Sequence, residues 1–312
     1  MSLRTDRSMS VLQLDPTYTD PLMGDFLQAL YAENELIARN ILVSCEKQGA
    51  KDLTSILMTQ PFQGHPFVHF VISKGYYLLL EWYLGHLQTH HNVLTGGDDH
   101  NRDWFGNTPL MSAVISGQEE IAELLLQYGA DIHAPHNQGE TPFLKAIKQQ
   151  DCNVVRKMVI KDTNEGEHEN DSCRQKRAHL QWMVPGEDGP IALLWATKAL
   201  CQIPKSYIHN QYTAHYDTAF HIGRQPIREL RENLMSMIEN RDKMVSHGRE
   251  ILRLVLGYYS ALNNDDFLAY IAPCIGLAWR NQDLDTVEML LKSTNQKEAY
   301  NVMPLQVYSE IW

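Results

Sequence analysis

Thr108-Pro109-Leu110-Met111-Ser112-Ala113 returns 33 residues later as Thr141-Pro142-Phe143-Leu144-Lys145-Ala146, with Gly106 and Gly139 at the same offset before each copy. No other feature restricts the fold so sharply. A unit of that length cannot enclose a core of its own, so a chain that repeats it buries apolar surface by stacking neighbours. Between the two copies, Ile121, Leu124 and Leu125 recur at helical spacing until Gly129, and a Gly129-Ala130-Asp131 triplet closes the segment.

Each unit reads as a pair of helices. Thr108 is suited to cap the first helix with its hydroxyl, and Pro109 fits the first helical position, where its missing N–H is not needed. Leu110, Ala113 and Val114 then face one way. Gly117 suits the turn to the second helix, and Gly129 suits a left-handed cap at that helix's end.

This motif resembles the ankyrin repeat, and the resemblance is closest over residues 103–160. It implies an all-α, ankyrin-type helical solenoid with degenerate repeats and an irregular helical insertion. Weaker copies extend it in both directions. Aligning Gly75 with Gly117 places Phe67 at the proline position and His69 at the family's first-helix histidine. The next unit then starts 42 residues later, which puts about nine extra residues within 86–102. Residues 26–42 have the two-helix spacing without Thr-Pro and read as an amino-terminal cap. Residues 273–291 share the rhythm, and 189–197 could open another unit. The expected organisation is a helical cap at 1–62, repeats at 63–160, a loop insertion at 161–188, and diverged repeats or a helical domain at 189–312 with an insertion at 204–247.

The chain departs from the family pattern at identifiable positions. The first-helix histidine is Met111 and Leu144 in the two best units, so those turns are expected to lose a hydrogen-bonding group. The inter-helix glycine of the later unit is Gln150, and after Val159 an acidic stretch replaces Gly-Ala-Asp. Within 204–247, Ile227, Leu230, Leu234, Met237 and Ile238 form one apolar helical stripe, with Arg241 falling on its seam.

Composition narrows the function. The formal net charge of −11 disfavours general nucleic-acid binding, which needs a concentrated basic face. The local clusters Arg174, Lys176, Arg177, His179 and Arg224, Arg228, Arg231, Arg241 lack interleaved aromatics and read as solvated faces. No long apolar run suggests a membrane span, and the amino terminus does not resemble a signal peptide. Five scattered cysteines argue for a reducing compartment rather than a disulfide framework, so a cytoplasmic, monomeric protein is expected.

Chemistry has little support at the level of motifs. Cys201 precedes a His-rich segment, and a thiol paired with His209, His215 or His221 would make 160–270 a cysteine-dependent hydrolase targeted by the repeats. His90, His91, Asp98, Asp99 and His100, and separately His168, Cys173 and His179, lack the spacing of a zinc tetrahedron. No catalytic residue, metal or cofactor is assigned.

The favoured role is non-enzymatic recognition of a protein partner. The resemblance implies a concave surface of hairpin tips and outward first-helix positions. In one unit these are Trp104, Phe105, Asn107, Ile115 and Ser116, and in the next Asn137, Gln138, Glu140, Lys148 and Gln149. The aromatic pair at a normally polar tip reads as an interface anchor or as a patch covered by residues 86–102. Degenerate repeats and irregular insertions also resemble the ankyrin-repeat effectors that intracellular bacteria deliver into host cells, with residues 297–312 as the export signal.

Overall fold

Every regular element among the described residues is a helix. The structure is a computed structural model and describes residues 21–47, 57, 66–87, 101–165, 192–201, 227–260 and 267–294. Contacts divide the chain into two units, Met1–Asn137 and Gln138–Trp312.

The first unit contains three described helical hairpins. They are α1 (Pro21–Tyr31) with α2 (Glu35–Lys47), α3 (Phe67–Lys74) with α4 (Tyr77–Leu87), and α5 (Pro109–Ile115) with α6 (Glu119–Gln127). Each hairpin packs on the next: α2 meets α4, α3 meets α5, and α4 meets α6. Phe26, Phe67, Tyr83, Leu79, Leu80 and Leu84 are almost fully buried, and the Phe67 ring lies 6.1 Å from that of Phe26 and 6.0 Å from that of Tyr83. Such a core exists only because neighbours share it, as the repeat length demands.

Local chemistry sets the turns. Thr108 Oγ1 accepts the Met111 N–H at 3.2 Å, and Pro109 occupies the first position of α5, as the sequence predicts. Gly75, Gly117 and Gly129 hold φ of 72°, 66° and 88°, the left-handed region open to residues without a Cβ. The amino-terminal hairpin lacks Thr-Pro and substitutes other devices. Glu33 takes φ 53° at the turn, and Asn34 Oδ1 accepts the Ile37 N–H at 3.1 Å to cap α2.

Two polar links tie successive hairpins together. The Glu35 carboxylate accepts the Leu79 N–H at 3.0 Å, which places an anion on the free amides at the start of α4. His69, 7% exposed, reaches further: Nε2 lies 2.8 Å from the Asn101 carbonyl and Nδ1 lies 2.8 Å from Ser112 Oγ. A carbonyl only accepts, so Nε2 carries its hydrogen, and in the neutral ring Nδ1 accepts from the Ser112 hydroxyl. Met111, which replaces the histidine in the next unit, is fully buried. The lost hydrogen-bonding group is thus exchanged there for core volume.

The second unit opens with another such hairpin, α7 (Pro142–Gln149) and α8 (Cys152–Glu165). Thr141 Oγ1 accepts the Leu144 N–H at 3.2 Å, and Gln150 adopts φ 62° where the repeat pattern has glycine. Leu144, 5% exposed, stands in the core like Met111. After α8 the repeat rhythm gives way. α9 spans 192–201, and the 34-residue α10 (Ile227–Ser260) packs along α8. The Phe143 and Tyr258 rings lie 5.7 Å apart, the Tyr258 hydroxyl donates to Asp162 at 2.6 Å, and Arg156 pairs with Glu250. The helix predicted over the stripe 227–238 is therefore present, while those five side chains lie outside the described residues.

α11 (Phe267–Arg280) and α12 (Leu284–Lys292) form a last hairpin, turned by Gln282 at φ 58° and capped by Asp283, whose Oδ1 accepts the Thr286 N–H at 3.1 Å. This pair has repeat character, but its first helix starts earlier than the sequence pattern suggests, with Pro273 inside it rather than at its head. Residues 88–100, 166–191, 202–226 and 295–312 lie outside the described set, and with them the His90/His91 and His168/Cys173/His179 groups and the 297–312 tail.

Candidate protein-recognition surface

The finger before α5 is a tight hairpin loop built around one carboxylate. Asp103 Oδ1 accepts the N–H groups of Phe105 at 2.9 Å and Asn107 at 2.8 Å, while Oδ2 accepts the Asn107 side-chain amide at 2.8 Å. The Gly106 N–H closes the turn on the Asp103 carbonyl at 2.9 Å, and the Asp103 N–H bonds the Asn107 carbonyl at 3.1 Å. Such an Asx turn is what aspartate does best in loops. Its central residues are Trp104 and Phe105.

A second layer of bonds fixes where this tip points. Arg102 donates to the Gly106 carbonyl at 2.7 Å and to the Pro135 carbonyl at 2.8 Å, and the Asn137 N–H donates to the Phe105 carbonyl at 3.2 Å. Gly106 sits at φ 76°, and a Cβ there would fall 2.1 Å from Asn137 Oδ1. The glycine therefore meets two demands together, a left-handed backbone and a close approach.

The loop presents its aromatic pair outward: Trp104 is 74% exposed and Phe105 70%. Ile115, at the end of α5, is 45% exposed, and Ser116 and Asn137 are also exposed. Asn107 requires a correction. At 7% exposed, with its amide on Asp103, it shapes the tip from beneath and presents nothing to a partner. Residues 88–100, the expected alternative cover for the aromatic pair, lie outside the described residues.

The other expected positions belong to the second unit. Gln138, Lys148 and Gln149 are exposed. Glu140 is largely tucked in, with Lys148 Nζ at 2.9 Å and Lys145 Nζ at 3.9 Å. Lys148 is also held over the Trp195 ring, 4.4 Å from its centroid, and Lys198 lies 4.3 Å from the same centroid. Sequence reasoning missed both Trp195 and the organising pair Arg102 and Asp103. The Asp-x-x-Gly-Asn spacing of 103–107 was a readable turn signal, whereas a cation–π contact between α7 and α9 has no local signature.

Cys201 is the thiol offered as a nucleophile, and Cys152 and Cys274 are read as structural. Cys201 is 3% exposed, and its Sγ lies 3.9 Å from Asp283 Oδ2. Burial, with Glu250 beside it, pushes the Cys152 thiol up to about 11. Burial pushes Cys274 up to about 12. His209, His215 and His221 lie outside the described residues. No helix among the described residues is long and apolar enough to cross a membrane.

Comparison with known proteins agrees with this geometry. A family model for ankyrin repeats, in three copies, matches residues 68–170. The chain is 33% identical over 79 residues to Ankyrin repeat domain-containing protein 13C of Homo sapiens, a stretch covering 25% of this chain and 14% of that protein. The same identity and length relate it to Ankyrin repeat domain-containing protein 13C of Danio rerio, with 16% of that protein covered, and to protein 13C-A of Xenopus laevis, with 15% covered. The matched stretch thus spans about 15% of the relatives' length.

Proposed function

We infer that this chain, which carries ankyrin repeats over residues 68–170, is a non-enzymatic recognition array that grips a protein partner through the finger before α5. The observation that carries this reading is the exposure of Trp104 and Phe105, at 74% and 70%, on a loop held rigid by Asp103, Arg102 and Gly106. A rigid aromatic anchor loses little conformational entropy on binding, and Trp is among the commonest interface hot spots. Ile115, Ser116 and Asn137 supply adjoining surface in the same unit. Gln138, Glu140, Lys148 and Gln149 are the corresponding positions of the next repeat, with Glu140 and Lys148 paired to each other.

The test compares three forms of the full chain as bait in cell lysate, followed by titration of the purified partner. Wild type and a Leu36→Ala, Ile37→Ala control, which truncates exposed apolar residues of α2, should bind equally. A Trp104→Ala, Phe105→Ala variant should melt at the wild-type temperature yet bind at least about thirtyfold more weakly, the loss expected for truncating a hot spot. Unchanged affinity of that variant would overturn the reading. Delivery into a host cell is a finer proposal, supported by the degenerate repeats and irregular insertions. A translocation reporter fused to the chain with and without residues 297–312 tests it.

A further inference from the structure

A cleft of about 520 Å³ runs between α8 and α10 in the second unit. It is a surface trough open to solvent, with Ser246, Arg253 and Gly257 exposed along it. The lining positions on α10 fall at 246, 250, 253, 254, 257 and 258, a single helical stripe, and α8 contributes Val159 and Thr163. Val159, Leu254 and the Tyr258 ring supply apolar wall. Gly257 leaves the floor open, since a Cβ there would meet nothing within 4 Å.

Three of the five polar residues lining this trough are committed, and Ser246 at one end is exposed without a hydrogen bond among the described residues. The Tyr258 hydroxyl donates to Asp162 at 2.6 Å, and the Thr163 hydroxyl bonds the Val159 and Ile160 carbonyls at 2.9 Å each. Glu250 is paired with Arg156, which neutralises it and holds its carboxyl below the usual range. Arg253 differs from these: it lines the cleft, is exposed, and has no ion-pair or hydrogen-bond partner among the described residues. The cleft is therefore an apolar trough with one uncommitted guanidinium at its edge. Guanidinium prefers a carboxylate, which it meets with two parallel hydrogen bonds.

We propose that this cleft binds a small amphipathic anion, a medium-chain aliphatic carboxylate whose hydrocarbon lies between Val159, Leu254 and Tyr258 and whose carboxylate pairs with Arg253. This is a small-molecule site, beyond the protein recognition assigned to the finger.

Calorimetric titration of the full chain with octanoate and with octan-1-ol tests it, since the two share a chain and differ in charge. Octanoate is expected to bind at least about tenfold more tightly than octanol, the advantage of a charged hydrogen-bonding partner. Arg253→Gln, at an exposed position, should erase that advantage and leave octanol binding unchanged. Gly257→Leu should abolish binding of both ligands without lowering the melting temperature, because it fills the floor with a better helix former. No octanoate binding at millimolar concentration, equal binding of the two ligands to wild type, or affinity indifferent to Arg253→Gln would each overturn the proposal.

Discussion

At the scale of single residues, a few atoms decide how the finger is aimed. Gly106→Ala faces a left-handed φ of 76° and a Cβ only 2.1 Å from Asn137 Oδ1. The Asn137 side chain can swing aside, but the backbone strain stays, and it costs about 1–2 kcal/mol. Urea denaturation should show that loss, and it should persist undiminished in an Asn137→Ala background, where the clash is gone. His69→Ala strands the Asn101 carbonyl and the Ser112 hydroxyl and should cost about 1–3 kcal/mol by the same measurement. The thiols give a pH signature. Cys152 and Cys274 titrate near 11 and 12 in the folded chain, against about 8.5 for a free thiol. Raised folded values mean that thiol burial stabilises fully below about pH 8.5 and that this contribution fades as pH rises towards 11. The urea midpoint should therefore fall from pH 8 to pH 10, with a shallower slope in a Cys152→Ala, Cys274→Ala variant.

At the scale of elements, legibility followed the range of the interaction. Thr108-Pro109 and Thr141-Pro142 act within one helical turn, and both caps form where the sequence places them. The Asp103 turn is equally local, since its carboxylate accepts the N–H groups two and four residues on. Gln150 and Gln282, by contrast, adopt the left-handed conformation with residues that do not advertise it. Their turns are imposed by the packing of the helices on either side, which overrides local preference. Gln150→Gly should thus raise stability by about 0.5–1 kcal/mol, because glycine occupies that region without strain. Thermal melting checks this, and a lower midpoint would mean that the Gln150 amide, which donates to the Ile147 carbonyl at 3.2 Å, outweighs the backbone cost. Pro273, the first residue of the repeat-like stretch 273–291, lies within α11, which begins upstream at Phe267.

For the molecule as a whole, the repeat period made an all-α array legible. What replaced the failing repeats was not legible, because α10 docks on α8 through pairs such as Tyr258 with Asp162, 96 residues apart, and Arg156 with Glu250, 94 apart. No period links such positions. The same quasi-linear logic predicts how the first unit responds to damage. In a stack, a middle element shares interfaces with two neighbours and an end element with one, so stability is a sum over adjacent contacts. Among the described hairpins, α3–α4 packs on both α1–α2 and α5–α6. Leu80→Ala empties a fully buried site on α4 and should cost about 2–5 kcal/mol. Hydrogen exchange should then quicken in all three hairpins, since losing the middle one removes an interface from each of the others. Leu30→Ala, in α1 at 3% exposure, should quicken exchange mainly in α1–α2. If instead both variants accelerate exchange uniformly across the first unit, its hairpins unfold as a single block and the nearest-neighbour account of their stability fails.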